Sequence, residues 1–164
     1  MFNEIDWLKQ YKMYGEFDLK RIESILLFSY IWNLFEREIC EKNALIKNVS
    51  QYIELLNNID SKTDDMDRLW KHFQSRYVSG GIATEKFNDF VFNDDCIKSI
   101  ALTTLTNDNP SLKDKIETIL RIVFRLRNNL FHGEKDVSKL YEQNELFSKA
   151  NEFLSILLDL RKRY

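Results

Sequence analysis

The stretch from Asn109 to Gly133 reads NPSLKDKIETILRIVFRLRNNLFHG, and its apolar residues recur at the three- and four-residue steps of an α-helix. Asn109-Pro110 is a strong start signal, with proline at the first helical position, and Gly133 supplies the stop. We therefore predict a helix that runs to about His132. At about 100° per residue, one face of this helix carries Leu112, Ile116, Ile119, Val123, Leu126 and Leu130.

The polar side chains of this helix fall mostly on the opposite side. A narrow sector there contains Arg121, Arg125, Asn128 and His132. Arg127 is the exception, because it lies on or next to the apolar face, where a charge without a partner is costly. We expect Arg127 either to extend its guanidinium into solvent or to pair with an acid, for which Glu36 is the candidate. On periodicity alone, Arg127 could simply tie two helices together.

The rest of the chain carries further helical segments and no confident strand. Helices are predicted near Glu4–Met13, from Leu19 to about Glu41, and over about Ala44–Asn57, Asp65–Tyr77, Asp94–Thr106 and Lys139–Arg163. Asp18 fits an N-cap, Ser79-Gly80-Gly81 ends one helix, and the ambiguous stretch Thr84–Phe92 should carry three phenylalanines into the core. The predicted fold class is all-α: a single domain over residues 1–164, with about five to seven helices packed as an antiparallel bundle.

Composition bounds the class of protein. The chain has 164 residues, of which 44% are hydrophobic and 30% charged, and this excludes intrinsic disorder. One proline and four glycines disfavour a turn-rich all-β fold. Lysine and arginine number 24 against 26 acids, so the net charge of −2 does not indicate a nucleic-acid binder. Any contact with nucleic acid must therefore use a local basic patch.

Neither a metal site nor a membrane segment is expected. Cys40 and Cys96 match no zinc spacing and are predicted to be reduced thiols, and the two histidines are distant from each other in sequence. The longest apolar run, from Ile25 to Phe35, falls well short of the roughly 20 residues that span a bilayer. The N-terminus is acidic where a signal peptide would be positive. We expect a cytoplasmic protein with no cofactor.

One short string indicates a function. Residues 127–133 read RNNLFHG, with asparagine after the arginine and glycine after the histidine at a predicted helix end. This string resembles the R-x(4–6)-H motif of the HEPN superfamily, in which a polar residue, often asparagine, follows the arginine. The helical pattern, the chain length and the late position of the motif agree with that family. An early aromatic-rich helix that bears an acid, WNLFERE at residues 32–38, agrees as well.

The resemblance implies an activity and a set of residues. Many HEPN proteins are metal-independent endoribonucleases of toxin–antitoxin, abortive-infection and CRISPR-associated systems. Carried over, Arg127 and His132 would be the catalytic pair, Asn128 the supporting polar residue, and Glu36 a weaker match to an early acidic position. The family typically works as a homodimer. The implied partners are RNA, a second copy and, for a toxin, an antitoxin of the nucleotidyltransferase type.

The chemistry of these residue types is consistent with RNA cleavage. Histidine titrates near neutral pH and can move a proton to or from the reacting oxygens, while arginine can hold a phosphate through two hydrogen bonds. On an ideal helix Arg127 and His132 point about 140° apart, so local unwinding or a second copy must bring them to one phosphate. Arg121, Arg125 and Lys135 are the candidate RNA-binding residues of a local patch.

Other interpretations stay open. His132 could be a helix C-cap favoured by the helix dipole, and His72 is expected to be structural, on a solvated face. A non-catalytic helical module that binds RNA or a protein is the main alternative to a ribonuclease. A small-molecule enzyme is weakly supported, because the sequence lacks a phosphate-binding glycine loop, a nucleophile elbow and a metal motif.

Overall fold

The computed structural model describes residues 2–10, 18–90, 92–131 and 141–161. The chain is predominantly helical there, as predicted, and contains eight α-helices within those ranges. They are α1 (Glu4–Gln10), α2 (Glu23–Glu38), α3 (Val49–Glu54), α4 (Thr63–Tyr77), α5 (Glu85–Asn88), α6 (Asp95–Leu105), α7 (Leu112–Phe131) and α8 (Asn144–Arg161). Short 3₁₀ turns at Leu19–Arg21, Ile46–Asn48, Ile59–Lys62 and Tyr141–Gln143 precede α2, α3, α4 and α8. None of the helices in the described ranges is both long and apolar enough to cross a membrane.

A very short hairpin follows α4. Its strands β1 (Val78–Ser79) and β2 (Ile82–Ala83) pair antiparallel. The connecting Gly80 and Gly81 have φ of +58° and +76°, the left-handed backbone that a two-residue hairpin turn of this kind requires at both positions. The predicted end of the helix at Tyr77 is confirmed, but the glycines do not form its C-terminus: Val78 is already extended, and the glycine pair turns the hairpin that follows.

α7 lies at the centre of the core. It packs against α3, α4 and α6, and it contacts α2 through aromatic side chains. Its buried apolar residues point to more than one side of the helix: Ile116, Ile119, Leu120, Ile122, Val123, Phe124 and Leu126. Nearly all buried apolar residues of the described chain belong to one contiguous cluster. The helix is therefore covered well beyond the single face that periodicity predicted.

Four aromatic rings join α7 to α2 and α3. Phe124 of α7 lies edge-on to Trp32 of α2, with ring centroids 4.9 Å apart, and its centroid is 6.4 Å from that of Phe35. The ring of Tyr52, from α3, lies parallel to Phe124 at 6.3 Å. Aromatic pairs in such arrangements contribute about 0.5–1.5 kcal/mol beyond the area they bury. Phe124 therefore fixes the position of α7 relative to two other helices.

α7 begins at Leu112, later than predicted. Ser111 Oγ accepts a hydrogen bond from the Asp114 amide at 3.1 Å, and Asp114 Oδ2 accepts one from the Ser111 amide at 3.3 Å. This reciprocal pair is a capping box. The prediction that Pro110 occupies the first helical position is wrong, because Ser111 caps the helix and Pro110 precedes the cap.

α2 and α8 run in the same direction and pack along their length. At one end the Ser24 amide donates to Asn144 Oδ1 at 3.1 Å, and Asn151 Nδ2 donates to the Ser24 carbonyl at 2.8 Å. At the other end Glu38 and Arg161 border the same groove. This parallel pair departs from the antiparallel packing that short connections favour, since roughly 100 residues separate the two helices.

The prediction that the aromatic stretch before α6 enters the core is confirmed, and so is the Asp18 cap. Phe87, Phe90 and Phe92 are all buried. Asp18 Oδ1 accepts a hydrogen bond from the Lys20 amide at 3.0 Å and so caps the 3₁₀ turn before α2. Asp94 caps α6 in the same way, through the Cys96 and Ile97 amides.

Replacing the central ring tests this arrangement. We expect Phe124→Ala to lower the free energy of unfolding by about 3–5 kcal/mol, because it leaves a cavity between three helices. The matched control is Phe2→Ala, since the Phe2 side chain is 68% exposed, and it should change stability by less than about 0.5 kcal/mol. Urea unfolding followed by circular dichroism measures both. Equal losses in the two variants would contradict the central position of Phe124.

Candidate functional site

The C-terminal end of α7 carries the first part of the predicted motif. Arg127 is half-buried, and its Cζ lies 5.9 Å from the centroid of the Trp32 ring. Arg127 Nη1 donates a hydrogen bond to Asn128 Oδ1 at 3.0 Å. A guanidinium within about 6 Å of an indole face gains from the ring quadrupole. The prediction that Arg127 lies at the edge of the apolar face is confirmed, and two neighbours restrain its side chain.

Glu36 does not take the place expected for it. Among the described residues, no ion pair within 4.0 Å joins Glu36 to Arg127. Glu36 instead acts on Cys40 one turn later: burial raises the pKa of the Cys40 thiol to about 12, and the negative charge of Glu36 adds to that effect against the hydrogen bond from Tyr52. Arg127 instead contacts Trp32, which lies one turn before Glu36 on α2.

Arg125 lies inside the protein. Arg125 is only 5% exposed and Asn129 only 3%. Arg125 Nη2 donates a hydrogen bond to Asn129 Oδ1 at 3.2 Å. Arg125 also borders a small cavity of about 100 Å³ before α6, next to Phe92 and Asp94. The prediction that Arg125 lies on an exposed side of the helix is wrong. A helix wheel shows the direction in which each side chain points, but not how many other elements surround the helix. In this structure the side of α7 that carries Arg125 is covered.

The covered side has its own periodicity. Thr118, Ile122, Arg125 and Asn129 follow one another at steps of four, three and four residues, and all four are buried. They form a second buried stripe on α7, which is polar at three of its positions. The sequence feature that could have revealed this buried stripe is Ile122, an apolar residue on a side of α7 whose other residues are polar. Only the first asparagine of the pair 128–129 was singled out from the motif, and the second is the more deeply buried.

Arg121 is neutralised by its own helix. Arg121 Nη2 lies 3.0 Å from Glu117 Oε2, and the two side chains are only 14% and 13% exposed. The distance and spacing are those of an i,i+4 ion pair. Because Arg121 is paired and Arg125 is buried, the arginines of α7 do not form the continuous exposed basic patch that the sequence indicated.

The second part of the motif lies outside the described residues. His132 and Gly133 follow directly after the end of α7, and Lys135 belongs to the same range, 132–140. The catalytic role of His132 and the RNA-binding role of Lys135 therefore stay predictions from the sequence. Within the described ranges, no three His, Cys, Asp or Glu side chains are grouped closely enough to hold a metal ion.

The other histidine of the chain has a structural setting. His72 lies on α4 with its imidazole 24% exposed, edge-on to Phe73 at 5.6 Å, and its Nδ1 is 4.0 Å from Glu145 Oε1. Burial lowers the pKa of His72, and Glu145 opposes that shift only in part. His72 is thus more enclosed than a residue of a solvated face, and near neutral pH it is uncharged.

The two adjacent asparagines allow a matched test of the buried stripe. We expect Asn129→Ala to lower the free energy of unfolding by about 1–3 kcal/mol, because it removes an acceptor from a buried guanidinium. Asn128→Ala is the control and should cost less than about 1 kcal/mol, because Asn128 and its partner are both partly solvated. Urea unfolding of the two variants measures the difference. An equal cost at both positions would argue against the burial of Arg125.

Comparison of the chain with protein-family models, with curated protein sequences and with solved structures gives no match.

Proposed function

We propose that this protein is a metal-independent endoribonuclease of the HEPN type, in which Arg127 and His132 cleave RNA. The observation that carries the proposal is the position of Arg127: half-buried at the end of α7, bonded to Asn128 and lying against Trp32, five residues before His132. A guanidinium held in this way is oriented before a ligand arrives, which lowers the cost of binding a phosphate. The type of reaction is inferred from the resemblance of residues 127–133 to the family motif.

The proposed reaction uses the RNA's own 2′-hydroxyl. Its oxygen attacks the adjacent phosphorus, the bond from phosphorus to the 5′-oxygen breaks, and the products end in a 2′,3′-cyclic phosphate and a 5′-hydroxyl. One proton leaves the nucleophile and one reaches the leaving oxygen, and His132 serves one of these steps. Arg127 offsets the negative charge that builds up on the phosphorane, and Asn128 keeps the guanidinium in place.

The proposed RNA contacts are fewer than the sequence indicated. Arg125 is enclosed and Arg121 is paired with Glu117, so in this proposal the phosphates are held by Arg127 and by Lys135. Arg127 and His132 point about 140° apart on one ideal helix. A homodimer in which the two motifs meet would bring an arginine and a histidine to the same phosphate. A cytoplasmic toxin or antiphage effector, restrained by an antitoxin of the nucleotidyltransferase type, is the setting that the family resemblance favours.

The two histidines of the chain provide the test of catalysis. We expect His132→Ala to lower the rate of RNA cleavage in EDTA by about 10²–10⁴-fold, the usual contribution of a general acid or base. His72→Ala should cleave at the wild-type rate. His72 lies on α4, where it packs against Phe73, and not on α7, which carries Arg127. Gel analysis of a labelled RNA, with end-group mapping of the products, measures both. Unchanged cleavage by folded His132→Ala protein would refute the proposed role.

The non-catalytic binding module is the second candidate, because the same contact of Arg127 with Trp32 is compatible with it. A restrained, half-buried arginine can hold a ligand or a neighbouring helix without any proton transfer. For this module, neither the wild type nor His132→Ala cleaves RNA.

Binding to an RNA that cannot react isolates the role of Arg127. With 2′-deoxy substitution at every position that could be cut, we expect Arg127→Ala to weaken binding about tenfold or more, because a charged hydrogen bond to phosphate is lost. Arg37→Ala, an exposed arginine on α2, should bind like the wild type. Fluorescence anisotropy measures both, after urea unfolding has shown that Arg127→Ala is folded. Equal affinity of Arg127→Ala and the wild type would remove Arg127 from the binding site.

A further inference from the structure

His72 is held at the contact between α4 and α8. Its imidazole is 24% exposed and lies edge-on to Phe73 of α4, with ring centroids 5.6 Å apart. On the side of α8, His72 Nδ1 lies 4.0 Å from Glu145 Oε1. His72 Nε2 is buried and has no hydrogen-bond partner among the described residues. One ring nitrogen therefore faces a carboxylate, and the other is enclosed without an acceptor.

This environment suits only the neutral imidazole. A neutral ring has a single N–H, which Nδ1 can carry toward Glu145, and Nε2 then holds a lone pair. Protonation adds a positive charge and a second N–H at Nε2, where the described chain offers no acceptor. A buried charged donor without an acceptor is costly, so the protonated ring is not stable in the enclosed position.

The charged groups around His72 do not remove this cost. Two acids and two bases of α4 and α8 act on the imidazole: Glu145, Glu152, Lys149 and Arg76. Glu152 is already engaged, because Arg68 and Lys149 both donate hydrogen bonds to it. Glu145 is 79% exposed, and an ion pair with so solvated a carboxylate is weak. Burial therefore outweighs the nearby charges and lowers the pKa of His72.

From this geometry we propose that the packing of α8 against α4 is sensitive to protons. Protonation of His72 moves its imidazole out of the enclosed position into solvent, and the N-terminal half of α8, residues 144–152, loosens from α4. Local opening of one element from a folded domain is an ordinary fluctuation, and here a single proton biases it. The inference stands on the contact between α4 and α8 and not on the proposed function. A chain that opens here without cutting RNA would leave it intact.

The sign of the effect follows from where the proton binds more tightly. In the unfolded chain His72 has its ordinary pKa of 6.5, and in the folded protein the pKa is lower. Above pH 6.5 neither state holds the proton, so His72 does not change the stability. As the pH falls below 6.5, the proton binds first to chains in which the ring is exposed, and the packed form loses stability.

The two histidines of the chain allow a matched test. Between about pH 7.5 and 5.5, above the ordinary carboxyl range, the unfolding equilibrium constant of the wild type should rise by up to about tenfold per pH unit, the limit for one proton. His72→Gln cannot be protonated and should lose this dependence, whereas His132→Ala should keep it. Urea unfolding at each pH measures the slopes. A slope that persists in His72→Gln would overturn the proposal.

An NMR titration of the wild type tests the proposal without relying on the folding of the His72 variant. The C2 proton of His72 should titrate below pH 6.5, because the folded protein disfavours the charged ring. Comparison with His132→Ala assigns the resonance, since the chain has two histidines. A midpoint at or above 6.5 would show that the charged ring is accommodated and would overturn the proposal.

Native-state hydrogen exchange locates the opening. Between about pH 7.5 and 5.5, the protection factors of amides in residues 144–152 should fall in the wild type and stay constant in His72→Gln. Amides of α6, which packs on α7, provide the internal reference and should lose less protection. An equal loss in α6 and α8 would place the effect of the proton outside the contact between α4 and α8, and the proposal would fail.

Discussion

The contact of Phe124 with the rings of Trp32, Phe35 and Tyr52 determines where α7 lies, and the candidate site depends on that position. Arg127 follows Phe124 by three residues, so the same α2 surface that receives Phe124 also receives the guanidinium, one turn further along. The aromatic core therefore does two things at once. It stabilises the bundle, and it presents one arginine at the edge of the core with its side chain already restrained.

The burial of α7 also explains why few of its arginines are available to the candidate site. A helix covered on several sides has little surface left for binding, and the arginines before Arg127 are either enclosed, as Arg125 is, or paired, as Arg121 is. A buried guanidinium needs acceptors, and Asn129 is one of them. The two arginines at 125 and 127 thus have different environments although only one residue separates them. One belongs to the interior of the protein and the other to its edge.

The sequence was informative where the physical signal is local. The three- and four-residue spacing predicted α7 and the position of Arg127 at the edge of its apolar face, and Asp18 was recognised as a cap from its place before an apolar run. The enclosure of Arg125 could not be predicted, because it depends on how many elements surround a helix. The same holds for the parallel pairing of α2 with α8, which joins segments far apart in the chain. The start of α7 was missed because Pro110 is a stronger signal than the serine and aspartate that form the cap.

The pairing of α2 with α8 bears on how the chain is made. α8 follows α2 by roughly 100 residues, so during synthesis the ring of Phe28 cannot meet its α8 partner until Phe147 has left the ribosome. Closing so long a loop carries a large entropic cost, which places this contact late in folding. The face of α2 that α8 covers consequently stays exposed until α8 has been made, and this is the interval in which a chaperone has the most to shield.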